Sequence, residues 1–101
     1  MRLSGILSLA IFIPFPVFAD MAPEVQCEKQ GDVAEQASDM RISGVDKETA
    51  IESLNKIYDH PGTGVTTNNI RGLVTVSYMA KMTPENMRKY AIDQCEKDIL
   101  N

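Results

Sequence analysis

Tryptophan is absent, histidine occurs once and cysteine only twice. These shortages exclude much chemistry. A catalytic triad needs a base, usually histidine. The single histidine, His60, lies in a Pro-Gly-rich loop and reads as a solvated loop residue rather than a base or pH sensor. A zinc site needs three or four ligands at suitable spacing, which one histidine and two distant cysteines do not supply. Gly62-Thr63-Gly64 lacks the lysine and spacing of a phosphate-binding loop and reads as a turn. The carboxylates are scattered. Glu48 and Glu52, like Glu35 and Asp39, are four apart, a spacing that makes a solvated helix face rather than a hydrolase pair. No catalytic residue, metal or cofactor is expected, and the chain reads as a non-enzyme. Basic runs are scarce too: Arg88-Lys89 is the longest cluster in a chain of net charge -4. That balance disfavours nucleic acid and anionic lipid as partners.

Long apolar runs occur only at the start. Met1-Arg2 is positive, Leu3 to Val17 is almost wholly apolar, and Val17-Phe18-Ala19 places small residues where a signal peptidase reads. Residues 1–19 therefore read as a cleaved signal peptide, with the mature chain beginning near Asp20. A cut after Ala22 would put Pro23 next and is disfavoured. The run is short for a membrane span and holds Pro14 and Pro16, so an uncleaved anchor is the weaker reading, and no stable membrane insertion is expected after cleavage. No lipid-attachment motif precedes Cys27. Loss of Arg2 leaves the mature chain at -5.

Residues 20–101 form one small domain in this reading. Two cysteines in a small exported chain imply a disulfide between Cys27 and Cys95, with two free thiols as the alternative. The chain-entropy account credits a loop of this length with roughly 4 kcal/mol, a large share of the stability of a core built from about 80 residues.

Periodicity predicts an all-α bundle of about four helices closed by that disulfide. A first helix is expected from about Pro23 to Ile42, with proline in the first turn, Glu24 at the positive dipole end, and Val33, Ala34, Ala37 and Met40 on one face. Gly31 marks either a close helix approach or simple tolerance. Ser43-Gly44 ends the helix. Asp46 caps the next one, with Val45 stapling against Ala50, and Ala50, Ile51, Leu54, Ile57 and Tyr58 form its inward stripe. A polar loop over Asp59 to Gly64 follows. Val65, Thr66 and Asn69 repeat the staple-and-cap pattern before the segment Thr67 to Lys81. There Val74, Val76 and Tyr78 alternate like a strand, but Ile70, Leu73, Val74, Ser77, Tyr78 and Met82 fit a helix face. Length, cap and helical neighbours favour helix. Thr83-Pro84-Glu85 opens the last helix, with Met87, Tyr90, Ala91, Gln94 or Cys95, and Ile99 inward, and a fraying end from Asp98.

Two further sets are singled out. Arg41, at the end of the first helix, reads as a structural polar residue bonding the last carbonyls of its own helix or a carboxylate such as Glu85 or Asp93. Among the tyrosines, Tyr78 and Tyr90 read as core, while Tyr58 stands equally as core or interface anchor. Loops carry function more often than cores, so Tyr58, Asp59, His60, Gly62 and Gly64 are the expected contact surface for a partner.

The order Cys27, Arg41-Ile42-Ser43-Gly44-Val45, Tyr78, Thr83-Pro84-Glu85, Cys95 resembles a loose class of small exported proteobacterial and phage helical proteins with one disulfide. That resemblance implies fold and a periplasmic address. The layout from Gly64-Val65-Thr66 through Tyr78 and Pro84-Glu85 to Cys95 is also similar to the C-terminal half of periplasmic immunity proteins that neutralise cell-wall amidases delivered by type VI secretion. It implies a protein partner, a toxin or cell-wall hydrolase. The build is similar, in size and single disulfide, to the acid-stress chaperone HdeA, which implies a holdase as the alternative.

Overall fold

The computed structural model describes residues 22–100. The expected signal peptide, residues 1–19, and its cleavage site lie outside the described residues. Four helices follow in order: α1 (Pro23–Ile42), α2 (Lys47–Tyr58), α3 (Thr67–Ala80) and α4 (Pro84–Leu100). The segment with strand-like alternation is helical, and no strand occurs among the described residues. The fourth helix continues to Leu100, past the expected fraying point at Asp98.

Local chemistry sets each boundary. Pro23 occupies the first turn of α1, and Gly44 ends it in the left-handed region at φ +89°. The Val45 amide then reaches back to the Met40 carbonyl at 2.9 Å and the Gly44 amide to the Arg41 carbonyl at 3.1 Å, closing the orphan carbonyls of the last turn. Asp46 accepts from the Thr49 amide at 3.3 Å and caps α2. Hydrogen bonds from Thr49 also hold its carboxyl below the ordinary aspartate range. A folded-state value lowered in this way adds stability at neutral pH, and that contribution is lost as acid protonates the cap. Thr66 and Asn69 form a reciprocal capping box at the start of α3. Thr83 accepts from the Asn86 amide at 3.2 Å to start α4.

The helices are organised on α1: α4, α3 and α2 all pack against it, and α2 packs also on α3. Two apolar clusters lie on either side. The larger joins Val33 and Ala37 of α1 to Ala50, Ile51, Leu54 and Tyr58 of α2, with Val65 and with Ile70 and Val74 of α3. The smaller joins Ala34 of α1 to Met87 and Ala91 of α4, with Leu73, Val76, Met82 and Tyr90 packed around it. Met82 contributes from the α3–α4 connection, beyond the helix end, rather than from the α3 face on which its spacing put it. Ser38 and Ser77, both fully buried, bond each other at 2.8 Å where α1 crosses α3.

Two expected core positions are exposed. Ile57 is 53% exposed and Ile99 39%. On a helix of 100° per residue, both lie well off the centre of the stripe that their neighbours bury. The choice between Gln94 and Cys95 falls to Cys95, which is buried, while Gln94 is exposed. Cys27 and Cys95 form the expected disulfide, with Cα atoms 5.4 Å apart across 68 residues of sequence.

Gly31 is a site of close approach. A Cβ there would stand 2.8 Å from Ile92 Cγ1 and 3.2 Å from Arg88 Cγ of α4, whereas a Cβ at Gly72 on α3 would meet nothing within 4 Å. The two helix-interior glycines should therefore respond oppositely. Gly31→Leu should lose about 1–3 kcal/mol to overpacking, and Gly72→Ala should gain up to about 1 kcal/mol from helix propensity. Urea unfolding of both variants checks this, and a Gly31→Leu chain as stable as the parent would refute the close approach. Reduction of the disulfide, or Cys95→Ser, should lower stability by roughly 3–4 kcal/mol. Equal melting of oxidised and reduced chains would show that the bridge does not fasten the bundle.

Candidate functional site

The α2–α3 loop is exposed but firmly held. Thr63 is its hub: the hydroxyl donates to the Tyr58 carbonyl at 2.9 Å and the His60 carbonyl at 3.0 Å, and accepts from the Val65 amide at 3.2 Å. The Thr67 hydroxyl donates to the Asp59 carboxylate. His60 Nε2 donates to the Lys56 carbonyl at 2.9 Å, which fixes the ring against the end of α2. Gly62 and Gly64 take φ +88° and +75°, a left-handed backbone open to glycine at little cost. Gly64 also lies against α1, since a Cβ there would collide with the Gln26 side chain. Val65 is buried in the larger cluster and anchors the loop's far end.

Of the residues expected as a contact surface, Asp59, His60, Gly62 and Gly64 are exposed together on this loop. Tyr58 is not with them. It is 9% exposed, packs in the larger cluster, and its hydroxyl takes a hydrogen bond from the Gln36 amide. Burial, reinforced by the nearby Asp32 carboxylate, pushes its phenol above the ordinary tyrosine range. Of the two readings of Tyr58, the core one holds, because it is the last member of the α2 stripe. Tyr78 is also a structural residue: its hydroxyl donates to the Val45 carbonyl at 2.5 Å and ties α3 to the α1–α2 turn.

Arg41 makes neither of the expected bonds. Its Nη2 donates at 2.7 Å to the carbonyl of Met82, in the α3–α4 connection, while its Nε is buried without a partner. The arginine thus ties the end of α1 to the turn that reverses the chain into α4. No sequence pattern marks a carbonyl so distant in the chain as the acceptor.

A second arginine was not singled out from the sequence. Arg88 of α4 donates to three carboxylates of α1: Asp32 at 2.6 Å, Glu28 at 2.8 Å and Glu35 at 2.9 Å. Those carboxylates are four and three residues apart, so one face of α1 presents them together. The hydrogen bond to Asp32, then those to Glu35 and Glu28, raise the guanidinium pKa further still. The arrangement leaves an excess of negative charge around a single, partly covered cation.

A groove of about 270 Å³ runs between α3 and α4. Asn68, Gly72 and Val76 form one rim, Tyr90, Gln94 and Asp98 the other, and Gln30 of α1 lies between them. Among the described residues no group of three or more His, Cys, Asp or Glu side chains is placed to hold a metal ion. No helix among them is long and apolar enough to cross a membrane. Comparison with known proteins finds no matching family model, no similar curated protein and no similar solved structure.

Proposed function

We propose that this chain is exported to the periplasm and acts there by binding a protein, most concretely as an inhibitor or immunity protein for a toxin or cell-wall hydrolase. The observation that supports the reading is the Asp59–Gly64 loop, exposed yet held at both ends and through Thr63. A surface ordered before contact gives up less conformational entropy on binding, so a small module can bind well through few residues. The signal-like segment at residues 1–19 and the Cys27–Cys95 bridge agree with an oxidising compartment. The reading needs no catalysis by this chain. The test is a pull-down from periplasmic extract together with a panel of lysozymes and amidases. A partner or an inhibited enzyme is expected, with binding weakened at least tenfold by His60→Glu at unchanged helicity. No partner and no inhibition across the panel would remove the proposal.

A second reading, an acid-stress holdase of the HdeA kind, is favoured by one feature. Arg88 joins α4 to α1 through Glu28, Asp32 and Glu35, with the Tyr58 hydroxyl of α2 nearby in its field. Acid that protonates these carboxylates removes the anionic partners of Arg88, and the smaller cluster is then left to hold α4 with the disulfide. Loosening of this kind exposes apolar stripes while the helices persist. At about pH 2–3 the chain should bind a hydrophobic dye and suppress aggregation of an acid-denatured client. A chain that stays compact in acid and leaves client aggregation unchanged rules this reading out.

A further inference from the structure

We infer that the groove between α3 and α4 is a second binding site, distinct from the α2–α3 loop, and that it takes an extended peptide segment carrying a positive group at its Asp98 end. Three observations converge on it. First, Gly72 sits in the middle of α3, where glycine weakens a helix, and no neighbour within the fold demands it. At Gly31 the opposing helix explains the missing side chain; at Gly72 only the groove does. An occupant whose own backbone comes close to α3 would explain it in the same way.

Second, the polar groups in the groove are unspent. The side chains of Gln30, Asn68 and Gln94 make no hydrogen bond to the rest of the described chain, whereas Asn69 beside them is used by the capping box. A side-chain amide offers a donor and an acceptor together, the complement of a peptide group. The rims from Asn68 to Val76 and from Tyr90 to Asp98 each cover eight helical steps, about 12 Å of helix. That length matches about four residues of extended chain. Leu73 and Val76, both half-buried, supply an apolar strip for alternate side chains.

Third, among the described residues Asp98 is the only charged group lining the groove, and it has no ion-pair partner there. A lysine, arginine or free amino terminus complements it. A sugar chain fits less well, because Tyr90, half-buried against the smaller cluster, is the one aromatic side chain among the described lining residues.

The test is selection of random heptapeptides displayed on phage against the oxidised chain. Enriched peptides should carry at least one lysine or arginine. They should lose at least tenfold in binding to Gly72→Leu, which fills the groove with a good helix former where nothing is in the way, and about threefold or more to Asp98→Asn. His60→Glu should leave them unaffected, so the groove and the loop stand or fall separately. Circular dichroism and melting of Gly72→Leu establish that it is folded. The inference is overturned if no peptide enriches, if enriched peptides bind Gly72→Leu as well as the parent, or if N-acetylglucosamine oligomers shift the amide signals of Asn68, Gly72 and Gln94 while no peptide does.

Discussion

The seam between α1 and α4 is the constraint on which the bundle depends. Each of the other helices has a share in the larger cluster, where nine buried residues from α1, α2, α3 and the loop before α3 interlock. The last helix does not. Its buried apolar contribution is Met87 and Ala91 against Ala34, with partly covered neighbours around them. At about 25 cal/mol per Å² of apolar surface removed from water, so thin a cluster holds a seventeen-residue helix weakly. The seam compensates by other means: the disulfide at one end, Gly31 letting Ile92 come close, and Arg88 spread over three carboxylates. The four helices are thus held by different means: α4 packs along α1 and is secured there by a disulfide and ion pairs as well.

The same difference explains the groove. Both α3 and α4 lean on α1, and they meet each other through the side chains of the smaller cluster and a short connection, pinned by Arg41 and Ser38 through the Met82 carbonyl. Pinning at that end leaves the pair free to part at the other, where α1 begins and α4 ends. The disulfide fixes α4 to α1 there without drawing it toward α3. A clasp that acts between the first and last helices therefore leaves a gap between the third and the fourth, with Cys95 and Gln30 at its base.

How far the sequence could be read follows from the range of each interaction. Caps span three or four residues, so Asp46, Thr66 with Asn69, and Thr83 were legible where they stand. The buried stripes were legible to the point where neighbouring helices stop covering them, which is why Ile57 and Ile99 were read as inward. Two cysteines leave one pairing available. The Arg88 cluster joins residues more than fifty apart, and the spacing of Glu28, Asp32 and Glu35 is the same that any solvated helix face shows. Arg41 was legible as a structural polar residue, but its acceptor, a carbonyl forty-one residues away, was not, since a distant carbonyl carries no residue-type signal. Of the candidate contact loop, the exposed part was legible from its Pro-Gly composition; the place of Tyr58 depended on which face of α2 turned inward at its last turn.

The two glycines within helices make the final distinction between folding and binding. A residue kept small by the fold has a neighbour that fills its space, as Ile92 fills the space beside Gly31. A residue that is small with no such neighbour weakens its helix without serving the packing, and natural sequences violate local preference mainly where function requires it. Gly72 is in that position, next to amides and a carboxylate that the fold leaves without partners. The loop at Asp59–Gly64 is different in kind, because its polar atoms are largely consumed in holding its own shape. A self-satisfied loop presents a rigid outline, suited to fitting a partner's surface, whereas a groove with unspent donors and acceptors is suited to taking up a chain. The molecule therefore offers two surfaces with different chemistry, placed so that the disulfide seam supports one and the larger core the other.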